Sequence, residues 1–220
     1  MRRMKGDEKR VIRRLSNRDV RLLTECGLRN VRSLSLKHQT LLLDASLGPF
    51  LSSLPRDMER VHLMCREIGP SSAAALCAKT KIQTLLLHKV RRVDAALASR
   101  FPLTDTLGLD CCGFVSSAWL QEVAVAGRLS GTSELSLAGI RLSPDDGFLS
   151  ALKRMPLLQR LDISHSSTPA GRGFDAAVVK IVPFLPKRCT VRMSSKELSE
   201  FLSPSTKTLC QDLGVVLTSL

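Results

Sequence analysis

No tyrosine occurs in this chain, and Trp119 is its only tryptophan. With seven Phe, aromatics make up 4 % of 220 residues, against 44 % hydrophobic residues in all. The core is therefore aliphatic, and a nucleic-acid groove that stacks bases on rings has little to draw on. No run of 18 uncharged apolar residues occurs, so membrane insertion through a helix is not expected. The seven cysteines, at 26, 65, 77, 111, 112, 189 and 210, are odd in number and form no C-x-x-C pair. Several sit inside apolar patterns, as Cys77 does within 73–78. That is the usage of reduced, buried thiols in an intracellular protein, not of a secreted disulfide framework. A phosphate-cradling G-x-x-x-x-G-K-[ST] and a G-x-S-x-G elbow are both missing, and the adjacent Cys111 and Cys112 have no partner at ligand spacing. No cofactor, no metal site and no small-molecule substrate are expected.

Acidic residues are also in short supply. Twenty Asp and Glu face 33 Lys and Arg, a formal net charge of +13, which points to an acidic partner. The excess is uneven. The segment 1–32 holds eleven Lys/Arg and four Asp/Glu, a net of +7, and leaves +6 to the rest of the chain. The first ten residues lack the apolar stretch of a secretory signal. They are Arg-rich, as mitochondrial presequences are, but Asp7 and Glu8 come early where such segments are acid-poor. Cytoplasmic and mitochondrial residence both stay open.

What the chain has in abundance is one apolar figure. An alternating pair of large aliphatics occurs at Leu34/Leu36, Val61/Leu63, Leu85/Leu87, Leu107/Leu109, Leu135/Leu137, Leu161/Ile163 and Val191/Met193. The steps between first members vary little around a common period, with the shortest between Leu85 and Leu107 and the longest between Leu161 and Val191. A period of that length describes a stack of one strand-containing unit. Seven residues after the second aliphatic comes a helix-start residue in four units: Pro70, Asp94, Ser116 and Pro144; Pro169 falls one place early. Ser and Asp cap the free N–H groups of a first turn, and Pro is tolerated there. An apolar helical pattern follows each start, then a breaker such as Leu54-Pro55, Met155-Pro156 or Leu185-Pro186. Each unit thus reads strand, turn, helix, turn.

These features resemble the leucine-rich-repeat superfamily. Leu158-Gln159-Arg160-Leu161-Asp162-Ile163 and Ile82-Gln83-Thr84-Leu85-Leu86-Leu87 are full L-x-x-L-x-L matches, and unit length and helix content are most similar to the ribonuclease-inhibitor type. The resemblance spans residues 28–194. It implies an α/β solenoid of about 6–7 repeats, a horseshoe arc with a parallel sheet on the concave face and helices on the convex face. Family members place Asn or Cys three residues after the last strand Leu. Here those positions are Gln39, Arg66, Val90, Cys112, Ile140 and Ser166. Cys112 matches, Gln39 and Ser166 are polar substitutes, and the turns at Val90 and Ile140 must satisfy their backbone otherwise.

Caps are expected at both ends. Ser16-Asn17-Arg18-Asp19 resembles a capping box with Asp in the fourth place, and residues 17–26 read as a helix over the first strand. Residues 1–27 thus form a basic segment and cap, with a further short helix expected over 7–15. Residues 195–220 form a C-terminal helical cap, with helices over 196–202 and 206–217.

Residues that flank the buried aliphatics face outward from the sheet. The candidates for protein binding are Arg60, His62, Thr84, Leu86, His88, Thr106, Asp110, Glu134, Ser136, Arg160, Asp162 and Arg192. Strands about 4.8 Å apart let Glu134 pair with Arg160 and His88 with Asp110. His88, Asp110 and Ser164 invite a catalytic triad, but Ala138 separates the second from the third and no oxyanion donors accompany them; no catalytic residue is assigned. Candidates for phosphate contact are Arg2, Arg3, Lys5, Lys9, Arg10, Arg13 and Arg14.

The expected function is a non-enzymatic scaffold that docks one or more proteins. The alternative is a structural subunit or assembly factor of a ribonucleoprotein, cytosolic or mitochondrial ribosomes included, touching RNA through the basic segment. A ubiquitin-ligase substrate receptor is disfavoured, because no adaptor-binding F-box segment is apparent before the repeats.

Overall fold

In the computed structural model of the chain, residues 15–37, 39, 42–65, 68–90, 95–141, 143–166 and 173–219 are described. Among the described residues, eight strands lie in one open sheet in chain order, and every pairing is parallel. They are β1 (Ser33–Leu36), β2 (Asp57–Leu63), β3 (Lys81–His88), β4 (Thr106–Asp110), β5 (Glu134–Ser136), β6 (Arg160–Asp162), β7 (Thr190–Met193) and β8 (Val216–Ser219). Helices alternate with them: α1 (Asn17–Glu25), α2 (Asp44–Ser53), α3 (Pro70–Cys77), α4 (Ser117–Val125), α5 (Asp146–Lys153), α6 (Gly173–Ile181) and α7 (Pro204–Asp212).

The aliphatic pairs explain the register. Leu34, Val61, Leu85, Leu107, Leu135, Leu161 and Val191 are successive register partners across the sheet. Every expected pair is buried except Leu34, which is half-buried on the first strand. Side chains alternate across a strand, so one face of the sheet packs against the helices and the other meets solvent. A shared hydrogen bond recurs where strands begin. The Arg32 carbonyl accepts from Glu59 and Arg60, that of Asp105 from Ser133 and Glu134, and that of Ser133 from Gln159 and Arg160.

Side chains at one helix start hold the start of the next. Asn17 Oδ1 accepts from the Leu43 N–H at 2.9 Å. Asp44, the first residue of α2, accepts from the N–H groups of Gly69, Ser71 and Ser72, each at 2.9 Å. Gly69 is the N-cap of α3 and has no side chain to cap with, so the carboxylate of the preceding unit serves instead. Ser117 Oγ donates to the Ser143 carbonyl at 3.1 Å, and Asp175 accepts from the Ser203 N–H at 2.9 Å.

Several expectations change in detail. The Ser16–Asp19 capping box forms as read. At α5 the cap is Asp145, which accepts from the Phe148 N–H at 3.0 Å, so the helix starts beyond Ser143 and Pro144. The shortest unit, between Leu85 and Leu107, holds a short 3-10 helix (Ala95–Arg100) where an α-helix was expected. Trp119 braces this thinner unit, edge-on to Phe101 and Phe114 at 5.2 and 5.1 Å. At the C-terminus the expected helix over 206–217 stops at Asp212, and Leu217 lies in β8. Leu217 pairs with Val191 and Ser219 with Met193. A serine in place of the second aliphatic hides this strand from the pattern.

The family-type turn positions divide in two. Cys112 Sγ donates to the Leu87 carbonyl at 3.4 Å, and Ser166 Oγ to the Leu137 carbonyl at 3.4 Å. Both reach back to the last strand aliphatic of the preceding unit. Gln39 Oε1 accepts from the buried Leu15 N–H at 2.8 Å. Val90 and Ile140 fill apolar space, and main-chain bonds serve their turns: Gly113 N–H to the Val90 carbonyl and Gly139 N–H to the Ser164 carbonyl. Arg66 lies outside the described residues.

Candidate functional site

The solvent face of the sheet is built by the residues between the buried aliphatics. Ser33, Arg60, Thr84, Thr106, Glu134, Arg160, Thr190 and Val216 form one register column. Ser35, His62, Leu86, Gly108, Ser136, Asp162, Arg192 and Thr218 form the next. All twelve expected face residues are exposed or half-buried and stand on this one side. Gly108 is buried because Leu86 leans across it: a Cβ there would lie 2.8 Å from Leu86 Cδ2. That close approach gives the centre of the face a low apolar saddle.

Charge runs across the face in bands. Lys37, Arg60, His62 and His88 occupy the β1–β3 side, and Asp110, Glu134 and Asp162, with Arg160 among them, the β4–β6 side. Burial first, then the charge of Lys37, holds the pKa of His62 below its usual range. Glu134 and Arg160 pair at 2.8 Å as expected, and Arg192 reaches Asp162 at 3.9 Å. These pairs are exposed enough to contribute only about 0–1 kcal/mol each to folding. Asp110 is the register partner of His88, and its carboxylate accepts from Ser136 Oγ. Asp162 Oδ1 is turned to its own chain, where it accepts from the Ser164 N–H at 2.9 Å.

The triad grouping of His88, Asp110 and Ser164 does not assemble. Ser164 is 1 % exposed, and β5 stands between the units of Asp110 and Ser164. The Cys112 thiol is pushed up to about 12 by burial, and those of Cys65, Cys77 and Cys189 to about 11. Among the described residues, no group of three His, Cys, Asp or Glu is placed to hold a metal, and no helix is long and apolar enough to cross a membrane.

Arg2, Arg3, Lys5, Lys9, Arg10, Arg13 and Arg14 lie outside the described residues, as do most of the expected 7–15 helix and the starts at Asp94 and Pro169. Two features of the site region escaped the sequence reading. Lys81 and Asp105 pair at 3.1 Å where β3 and β4 begin; their places just ahead of Leu85 and Leu107 were the available signal. Lys89, Cys111, Gly139 and His165, each two residues past a strand's last aliphatic, all take positive φ, at 59, 54, 69 and 56°. Only one is glycine, so composition gave no hint of a shared backbone turn.

Comparison of the sequence with protein-family models finds no match, and none of the curated proteins is significantly similar to it.

Proposed function

We propose that this chain is a leucine-rich-repeat module that docks a protein partner on the solvent face of its sheet. The observation that carries the reading is the unbroken register of that face. Seven spacings of about 4.8 Å make it about 34 Å long, the length of an extended row of contacts across one partner. Sequential parallel strands, alternating helices and the back-reaching Cys112 and Ser166 support the leucine-rich-repeat type, with the sheet as the concave side of an arc. The face is mixed in charge and carries an apolar saddle at Leu86 and Gly108, which suits a protein better than a base-stacking groove. The role is that of a scaffold, not of an enzyme. The seven unpaired cysteines go with an intracellular setting, cytoplasmic or mitochondrial.

Charge reversal tests it. Arg60→Glu, Glu134→Arg and Arg160→Glu together are expected to cut recovery of the wild-type partner more than about tenfold, with the melting midpoint retained. Undiminished recovery moves the docking site to the helices or the basic segment.

A second reading, a ribonucleoprotein subunit, draws on the net charge of +13 and on a cluster of arginines where β1 and β2 begin. Here the basic side touches RNA while the sheet holds a neighbouring protein.

A further inference from the structure

The turn leading into β1 and the turn leading into β2 lie side by side. Parallel pairing puts them there, since the Arg32 carbonyl accepts from Glu59 at 2.8 Å and Arg60 at 3.2 Å. Between them is a cleft of about 330 Å³ lined by Arg29, Asn30, Arg32, Pro55, Arg56 and Asp57. All three arginines are exposed. The ion pairs among the described residues are Lys81–Asp105, Glu134–Arg160, Asp162–Arg192 and Lys196–Glu200, so none of the three guanidinium groups has a carboxylate partner there. Among the described lining residues, Asp57 offsets one of the three positive charges and leaves two.

An excess of positive charge lining one cleft does not stabilise a fold; like charges repel one another until an anion comes between them. The uncompensated field reaches inward. The amine of Lys79, buried and donating to the Leu54 carbonyl at 2.6 Å, is held below its usual range by burial and then by the Arg56 charge. Guanidinium forks match the oxygens of a phosphate group better than any other side chain does. Among the described residues no aromatic ring lines the cleft, so a nucleotide held by these side chains is read through its backbone and not by stacking. A further exposed arginine, Arg60, stands close by on β2, next to Ser33 of β1.

We infer that this cleft binds phosphodiester groups of an RNA strand, with Arg29, Arg32 and Arg56 as the donors. The inference rests on the ribonucleoprotein reading and is independent of protein docking on the sheet.

The test is fluorescence anisotropy of the full chain with a labelled oligouridylate of about 12 nucleotides, titrated between about 50 and 200 mM salt. Each lost phosphate contact lowers the salt slope of log K by about 0.7 for a single strand. Arg29→Gln, Arg32→Gln and Arg56→Gln together are expected to lower it by about 2 and to weaken binding, and Arg56→Gln alone by about 0.7. The Lys196→Gln, Glu200→Gln pair, an exposed ion pair outside both surfaces, is expected to leave it unchanged. If the wild type binds RNA and the triple variant has the same slope, the cleft assignment fails while the ribonucleoprotein reading survives. If the wild type binds no RNA, both fail. If an oligoglutamate of equal charge displaces the RNA as well as unlabelled oligouridylate does, the cleft is a site for an acidic protein and the inference is overturned.

Discussion

Asp44 shows how much one side chain carries in this architecture. Its two oxygens serve three N–H groups of the next helix. Burial raises its carboxyl, but hydrogen bonds from Ser72, Gly69 and Ser71 outweigh this and hold it below the ordinary 3.8. A carboxylate lowered in the folded state adds stability that is full above the unfolded value and is lost as pH falls through the folded one. Asp44→Ala is therefore expected to cost about 1–3 kcal/mol near pH 7. In denaturant titrations the gap from wild type should close as pH drops below about 4; a gap independent of pH would remove the carboxylate from this role. Thiols give a second residue-scale prediction. Cys26 and Cys111 are exposed and the other five are buried, four of them with thiols pushed to about 11 or 12. Iodoacetamide, which needs the thiolate, is expected to label Cys26 and Cys111 in the native protein, and Cys65, Cys77, Cys112, Cys189 and Cys210 only after denaturation. Mass spectrometry of the alkylated peptides checks this.

At the scale of elements, strands were legible and turns were not. Leu107/Leu109 or Leu135/Leu137 announce a strand because period-2 burial leaves a mark in the residues themselves. β8 left no such mark: Ser219 stands where an aliphatic was needed, and only the hydrogen bonds to β7 reveal it. The helix starts were readable where a short polar residue caps its own helix, as Ser116 does for α4. Where the capping group comes from the preceding unit, as at Gly69, Pro70 marked the start but nothing local showed that Asp44 caps it. The column of positive φ at Lys89, Cys111, Gly139 and His165 runs through four successive units and follows their shared turn, not residue type; Cys65 and Ser195, at the equivalent places in other units, do not share it. Equivalent positions should therefore respond with opposite signs. Gly139→Ala, which gains a Cβ 2.5 Å from Cys111 Sγ at φ +69°, is expected to destabilise by about 1–2 kcal/mol or more. Lys89→Gly is expected to be neutral or to stabilise by up to about 1 kcal/mol, because it relieves the same strain. Chemical denaturation of both variants decides, and destabilisation by Lys89→Gly would show that its side chain matters more than its backbone.

For the whole molecule, the candidate face was legible to the residue while its occupant was not. The place just before each strand's first aliphatic put Arg60, Thr84, Thr106, Glu134 and Arg160 in one column, and the sheet keeps them there. The cleft at Arg29, Arg32 and Arg56 was not legible, because all of α2 separates Arg56 from the other two in sequence, and it joins them only through the pairing of β1 with β2. One molecule thus presents two surfaces, a mixed-charge sheet and an arginine cleft at its leading strands. The proposal that the sheet, and not the helical side, docks a protein is tested most directly by site-specific photocrosslinking. A photoreactive residue is placed singly at Thr84, Thr106 or Ser136 on the sheet, or at Ala74, Gln121 or Ala176 on exposed helix positions, and adducts formed in the native cell extract are identified. Recovery of the same protein adduct from the three sheet positions, and not from the helix positions, is the predicted result; adducts confined to the helix positions would contradict it.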